Sequence, residues 1–468
     1  MRSNKVRYLV PVLMSLLITC PGYGQEDMIE LLTMEDAISR ALSLNNQVKA
    51  SGYSLERATW DKRRAWTMLF PTLTLNSRYT WIDDSTFALR DFFRQNIRTF
   101  FPNIPAGVEI PQTVFQESYY HSLDLSMPLF NGALLNGLSI ASANEDMFDK
   151  QHHYTIDNTI FKVISNYLAV LKSREILSLQ KEYLTLSLLN WQKAERMYSA
   201  GRWSKTDALR WKIEHQQQKS NVVAGESGVI TAVSVLSTAL NLKMTQELEV
   251  VEKLPQRLTE EIKKMESMSN DSIYKMIRLD DAELINANAA LKALEYGTEI
   301  SKLQYRNSYT PFLPNVSLDY SYAWRENNTI AFDDYSPQTL MINLSLPLFS
   351  SFQDYTALES NYYAYKKTEA DLHDQLNNTR LVLTETTNKI VNLKTQMELS
   401  KLNVEFNELN YQTIEKQKEK GLVSNIDFID AKINLQNARI EDISNRYDFI
   451  SAVVELYYLL GMMESIVE

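Results

Sequence analysis

One amphipathic segment is written twice in this chain. Pro71-Thr-Leu-Thr-Leu-Asn-Ser-Arg-Tyr-Thr-Trp81 alternates apolar and polar residues, and Pro314-Asn-Val-Ser-Leu-Asp-Tyr-Ser-Tyr-Ala-Trp324 repeats it 243 positions later, with Pro, Leu, Tyr and Trp in step. Side chains of a strand alternate between faces. Leu73, Leu75, Tyr79 and Trp81 therefore share one face, and Thr72, Thr74, Asn76, Arg78 and Thr80 the other. Each half adds a second strand of the same kind. His121, Leu123, Leu125 and Met127 alternate with Ser122, Asp124 and Ser126, and Leu340, Ile342, Leu344 and Leu346 with Thr339, Asn343 and Ser345. These strands end on Pro128-Leu-Phe130 and Pro347-Leu-Phe349. The chain is a duplication with two strands per half.

Strands of about ten residues have the length that crosses a bilayer at a tilt. Their apolar faces end in Tyr79, Trp81, Tyr322 and Trp324, aromatics suited to a membrane–water boundary. Four strands cannot close a membrane barrel, for which about eight is the minimum. Open sheet edges in lipid would leave each unpaired backbone group costing several kcal/mol. If these strands lie in a membrane, several chains must share one barrel, and its inner face of Thr, Ser, Asn and Asp is wet. The alternative is a structural or adhesive periplasmic or surface coiled-coil protein with a soluble sheet.

The rest of the chain reads as helix. Nine of the 12 prolines fall in 71–128 or 311–347, while 129–254 and 348–468 contain none, and only 12 of the 468 residues are glycine. Spans so poor in breakers and rich in Leu, Lys, Glu and Gln are long helices. Thr33-Met-Glu-Asp36 resembles a capping box, and a helix is predicted from there to about Leu69. Residues 82–117 read as a loop with Phe92, Phe93, Phe100 and Phe101. A helix over about 134–199 would run on the order of 100 Å. Its Ile160, Ile164, Tyr167, Leu171, Leu179, Tyr183, Leu186 and Trp191 recur at steps of three and four, mostly, as in a coiled coil. Gly201 breaks it, Ser204 caps the next helix, and that helix returns to about Leu242. Residues 243–271 connect the halves. The second half repeats the plan, with a helix over about 272–309, a long helix to about Lys420, a turn at Gly421 and a last helix to about Leu460. Leu125-Ser-Met-Pro-Leu-Phe130 recurs at Leu344-Ser-Leu-Pro-Leu-Phe349, and Gly201-x-x-Ser204-x-x-Asp207 at Gly421-x-x-Ser424-x-x-Asp427. The domain plan is thus 25–242, 243–271 and 272–468.

The N-terminus carries an address. Arg2, Lys5 and Arg7 precede a short apolar core from Tyr8 to Thr19, and Gly22-Tyr23-Gly24 offers a cleavage site. Residues 1–24 are read as a secretory signal peptide. Lipidation at Cys20, the single cysteine, is the rival and fits poorly behind Thr19. One cysteine excludes a disulfide framework. No later stretch of 18 consecutive apolar residues suggests a transmembrane helix. The net charge of −10 and a pI near 5.3 argue against nucleic acid as a partner.

In order and spacing these features resemble the outer-membrane efflux proteins, the TolC-like exit ducts, over essentially all of 31–463. The resemblance is carried by Leu-Thr-Met-Glu-Asp-Ala-Ile…Ala-Leu-Ser-Leu-Asn-Asn (32–46), the two Pro-bounded strands, the Ser-x-Pro-Leu-Phe strand ends and the Gly-x-x-Ser-x-x-Asp turns. It implies a mainly α fold with a transmembrane β-barrel: a homotrimer with a shared 12-stranded barrel, four strands per chain, over a long periplasmic coiled-coil α-barrel. It also implies the partners, a periplasmic adaptor, an inner-membrane pump of RND or ABC type and outer-membrane lipid, and no cofactor. The function implied is a passive exit duct for efflux or type I secretion. The turns at Gly201-Arg202-Trp203 and Gly421-Leu422-Val423 would be the periplasmic tip that meets the adaptor. Asp427 and Asp430 match the family's acidic pore rings, and Asp207 its first-repeat acidic partner. Where a well-known member latches its tip with Tyr and Arg, this chain has Lys418 and Val423, leaving Lys418 or Arg202 as charged substitutes.

From the residues alone, Asp207 and Asp427 follow Ser204 and Ser424 at capping-box spacing, whereas Asp430, a turn further in, has no capping duty. His152-His153 does not make a metal site, since neighbours on a helix diverge by about 100°. Asp83-Asp84 and Asp333-Asp334 read as solvated turns. No nucleophile motif, phosphate loop or acid–base pair points to an enzyme.

Overall fold

The computed structural model describes residues 30–242, 248–327 and 337–467. The predicted signal peptide, Cys20 and Asp333-Asp334 lie outside them. In chain order the elements are β1 (Glu30–Leu32), α1 (Met34–Leu44), α2 (Asn46–Thr67), β2 (Thr72–Trp81), α3 (Asp84–Phe100), β3 (Glu117–Phe130), α4 (Gly132–Ser199) and α5 (Lys205–Ala239). There follow β4 (Leu248–Val250), α6 (Gln256–Ser267), α7 (Asn270–Met276), α8 (Asp281–Ala287), α9 (Ala289–Asn307), β5 (Asn315–Asn327), β6 (Gln338–Ser345), α10 (Gln353–Glu419), α11 (Asn425–Leu459) and α12 (Glu464–Val467).

The duplication governs the helices. α4 has 68 residues and α10 has 67, each about 100 Å long. Each turns back through a 35-residue partner, α5 or α11. Near the turns the helices neighbour one another in the order α5, α4, α11, α10. Nearer the strands, α2 and α9 take the lanes of α5 and α11.

Two asparagines splice those lanes. Asn45 caps α2 by accepting from the Gln47 and Val48 amides, and its own amide donates to Ala239 O at the end of α5 (3.1 Å). Asn288 caps α9 through Ala290 and Leu291 and donates to Leu459 O at the end of α11 (3.1 Å). The single helix predicted over 33–69 is therefore two, broken at Asn45. The one predicted over 272–309 is three, broken at Asp280, which forms a capping box with Glu283, and at Asn288. Apolar periodicity continues across such breaks, because the flanking helices face the same core.

Four strands form one antiparallel sheet in the order β2-β3-β5-β6. Leu73 stands opposite Leu125, Leu125 opposite Tyr320 and Tyr320 opposite Leu340, so one face is an apolar row across all four strands. On the other face Asp124 accepts hydrogen bonds from Asn76, Ser122 and Ser321, and Asp319 from Ser126, Ser317 and Asn343. Each of these half-buried carboxylates is thus satisfied by three neutral donors from its own and both neighbouring strands. β2 and β6 are edge strands, exposed along their whole length.

Residues 82–117 are not simply a loop. Asp83 caps α3 by accepting from the Ser85 and Thr86 amides, and the Ser85 and Thr86 hydroxyls, followed by these amides, hold its carboxyl far below the usual range. The turn reading of Asp83 missed that the turn starts a helix. The connecting segment 243–271 is likewise structured where it is described. β4 pairs parallel with β1, and α6 buries Leu258, Ile262 and Met265.

These short elements wrap the waist of the helical wall. There the main core gathers Met34, Ile38, Ile164, Tyr167, Leu236, Leu258, Phe449, Val453 and Leu456. Tyr167, fully buried, brings its hydroxyl to Leu32 O (2.9 Å) and Val251 O (2.6 Å), tying the β1–β4 pair to α4. Among the described residues one helix, α5, is long and apolar enough to cross a membrane, against the expectation of none. Its apolar residues include Leu209, Ile213, Val223, Ile230 and Val235, all exposed on the outer edge of the four-helix array.

Candidate functional site at the hairpin tips

Both tips are built by one mechanism. A helix ending at Ser199 or Glu419 needs a left-handed residue to satisfy its last carbonyls, and glycine adopts that conformation without a Cβ clash. Gly201 has φ +68° and Gly421 φ +71°. The Arg202 amide then reaches Met197 O (2.9 Å) and the Leu422 amide reaches Gln417 O (3.0 Å). Ser204 and Ser424 start the return helices by accepting from the Asp207 and Asp427 amides (3.1 and 3.2 Å). Their hydroxyls donate to the same aspartates' carboxylates (2.6 Å each). Ser204 and Ser424 are therefore the caps, with Asp207 and Asp427 at the first-turn positions that their spacing predicts.

Beyond the backbone the tips diverge. Asn425, nearly buried, donates to Asp207 Oδ1 (2.9 Å) and accepts from the Lys418 ammonium. Lys418 also lies over the Trp203 ring, 5.4 Å from its centroid. One polar chain, Lys418 to Asn425 to Asp207, thus joins the second tip to the first. The Asp207 carboxyl is pulled below its ordinary value by the Ser204 hydroxyl, then by Asn425, with the charge of Lys418 a smaller contribution. Burial pushes the Lys418 ammonium down.

Asp427 and Asp430 are not drawn into this chain. Both are exposed and begin a polar stripe on α11 with Asn434, Asn437 and Glu441, on the side away from the buried face. Gly201, Arg202, Gly421 and Leu422 are exposed, Leu422 at 73%. Val423 is half-buried, and Trp203 packs on a small core of Ala194, Trp211, Phe428 and Ile429. On the sheet, Tyr79 and Trp81 are exposed. Tyr79 meets Tyr119 at 5.0 Å between centroids, and Tyr322 meets Trp324 edge-on at 4.6 Å. His152 is engaged by Ser51 (2.8 Å), and His153 stands 3.7 Å from Asp149.

A buried polar layer further up the wall was not anticipated. Lys432 on α11 is fully buried, 3.8 Å from Glu214 on α5 and 5.6 Å from the ring centroid of Tyr183 on α4. Beside it Gln218 and Gln436 exchange amide hydrogen bonds (2.8 and 3.0 Å), and Gln218 donates to Glu214 (3.1 Å). Burial lowers the Lys432 pKa, and the Glu214 charge opposes that shift. A signal for Lys432 did exist in the sequence: it lies four residues after Phe428 and three before Leu435, on the apolar stripe of its helix.

With this geometry in place the chain can be set beside known proteins. Residues 282–462 match the sequence model of the outer membrane efflux protein family. The alkaline protease secretion protein AprF of Pseudomonas aeruginosa is 18% identical over 351 residues, 74% of this chain and 70% of AprF. The outer membrane channel CmeC of Campylobacter jejuni superposes with a TM-score of 0.76 at 11% identity, covering 92% of this chain and 86% of CmeC. VceC of Vibrio cholerae gives 0.75 at 13%, covering 92% and 96%. The MtrE channel of Neisseria gonorrhoeae, in its open state, gives 0.71 at 14%, covering 93% and 90%. By sequence the second repeat is similar to the outer membrane efflux proteins, and by fold most of the chain's length is similar to solved outer-membrane channels.

Proposed function

We propose that three copies of this chain form an outer-membrane exit duct, passively conducting solutes from a periplasmic adaptor and an inner-membrane pump, RND or ABC in type, to the outside. The observation that carries the reading is that one copy is an unclosed stave over its full height. β2 and β6 present unpaired edges, and below them the helical array ends in α5 on one side and α10 on the other. α5 exposes Leu209, Ile213, Val223 and Ile230. α10 exposes Leu399, Leu402, Phe406 and Leu409 at steps of three and four. Exposed apolar heptads on both edges call for a partner helix on each, as the open strands call for a partner strand. Identical copies joined edge to edge supply both, and a closed ring of three reaches twelve strands.

In that ring the Asn, Ser, Thr and Asp face of the sheet lines a wet lumen, and Tyr79, Trp81, Tyr322 and Trp324 meet the lipid boundary. Asp427 and Asp430 begin the α11 stripe that would face the pore. The Lys418–Asn425–Asp207 chain would hold the tip shut in place of the family's Tyr and Arg. Leu422, exposed beside Gly421, and Arg202 beside Gly201 would meet the adaptor. AprF is named as a secretion protein, the matching family model is of efflux proteins, and the superposed structures are outer membrane channels, so this reading spans both uses.

Heat-modifiable gel migration of the detergent-extracted protein tests the assembly: a trimer band that collapses on boiling is expected. A monomer that stays in solution without detergent defeats the duct and revives the soluble coiled-coil alternative. In planar bilayers, Asp430→Ala is expected to weaken block by divalent cations. Unchanged conductance and block would remove Asp430 from the pore.

A further inference from the structure

Among the described residues, α3 is an inverted amphipathic helix. Its charged side is the one used by its own chain. Asp91 is buried and held by both guanidinium donors of Arg94 (2.8 and 2.7 Å) and by Gln95 (3.2 Å). Arg98 donates to Ala106 O and Val108 O (3.0 Å each), binding the following loop to that side. Leu89, Phe92, Phe93 and Phe100 are left on the opposite side, 78, 53, 58 and 52% exposed, and Phe101 continues the patch at 54%. Phe93 stacks on Phe100 at 5.8 Å and Phe92 meets it edge-on at 6.2 Å, so the patch is one continuous aromatic surface.

We propose that this face of α3 lies in the headgroup–acyl boundary of the outer leaflet, as an interfacial anchor beside the barrel. The proposal rests on the duct reading. Three observations favour lipid as the occupant. First, only Ile82 and Asp83 separate the helix from Trp81, so it begins at the level of the aromatic belt formed by Tyr79, Trp81, Tyr119 and Trp324. Second, an aromatic and leucine face set against a polar side that carries the cations Arg90, Arg94 and Arg98 is the composition of helices that lie in a membrane surface. Third, charge favours headgroups over copies of the helix. Arg90 is exposed, and Arg98 gives its donors to carbonyls rather than to a carboxylate. Three such helices converging over the mouth would crowd these cations, whereas anionic headgroups offset them. The segment that joins the second half's strand pair is 24 residues shorter.

The test is site-directed spin labelling of the full chain, with Cys20 replaced by Ser, reconstituted in vesicles. Labels go at Leu89→Cys and, separately, Phe93→Cys. Leu340→Cys on the apolar face of β6 serves as lipid reference, and Lys212→Cys on α5 as water reference. The expected result is accessibility to oxygen over a water-soluble nickel complex that matches Leu340 and exceeds Lys212 several-fold. Water-like accessibility at Leu89 and Phe93, with Leu340 still lipid-like, overturns the anchor and leaves the duct standing. So does strong dipolar broadening between labels at Leu89, which would show copies of α3 packed together. Water-like accessibility at Leu340 as well defeats both readings.

Discussion

The two hairpins have the same backbone and different chemistry. Gly201 and Gly421, Ser204 and Ser424, and Asp207 and Asp427 do the same work at equivalent positions. Elsewhere in register the halves part. Exposed Lys205 corresponds to Asn425, which bridges the tips; exposed Lys212 to Lys432, which is fully buried; and Arg210 to Asp430. Asn241, with φ 55°, corresponds to Gly461, with φ +66°. The lesson is that duplication copies turn geometry, which depends on a few residues in local contact, while the second hairpin has been refitted to stand between neighbours. α11 packs on α10 and α4, whereas α5 has α4 and an open edge.

Paired substitutions can break that comparison. The largest effect is expected at Gly461. A Cβ there would lie 1.8 Å from Ala287 O, so Gly461→Ala forces backbone apart and should cost more than about 4 kcal/mol. Asn241→Ala, at the matching turn, should cost far less in the same denaturation experiment. Next is the buried ion pair. Lys432→Ala strands Glu214 in the wall and should cost about 3–5 kcal/mol, against within about 0.5 kcal/mol for Lys212→Ala. Combining Lys432→Met with Glu214→Leu should recover most of the loss. A single mutant as stable as the parent would show that water reaches the layer.

Asn425→Ala should cost about 1–3 kcal/mol by leaving Lys418 and Asp207 without their bridge, and should raise basal conductance. Lys205→Ala should do neither. The smallest effect is the pH dependence of Asp207. Its folded pKa is depressed, so its contribution is complete above the ordinary carboxyl value of about 3.9 and is lost as pH falls through the lowered one. Basal conductance should therefore hold constant through mild acidification and rise only below that range. Asn425→Ala should move the rise to higher pH.

Much of the architecture was legible in the residues. Proline placement and the repeated Gly-x-x-Ser-x-x-Asp turns located the long helices and their reversals, and strict alternation located all four strands. α3 was missed because turn residues and prolines flank it, although Leu89, Phe92, Phe93 and Phe100 recur at helical spacing. The breaks at Asn45 and Asn288 were missed because each is defined by a hydrogen bond to a helix end some 170 to 194 positions away. At the tip, the serine caps and the first-turn places of Asp207 and Asp427 followed from spacing. The bridge through Asn425 did not, since it depends on how two hairpins lie against each other.

The sequence by itself determined a duplicated chain of amphipathic strands and long paired helices, because side-chain period and helix termination are local properties of a few consecutive residues. Only the tertiary structure decided which lysine is buried, which aspartate is captured and which faces are left bare. Those outcomes turn on distances between segments far apart in the chain, and both the unpaired strands and the uncovered helix edges become visible only when every local partner has been assigned.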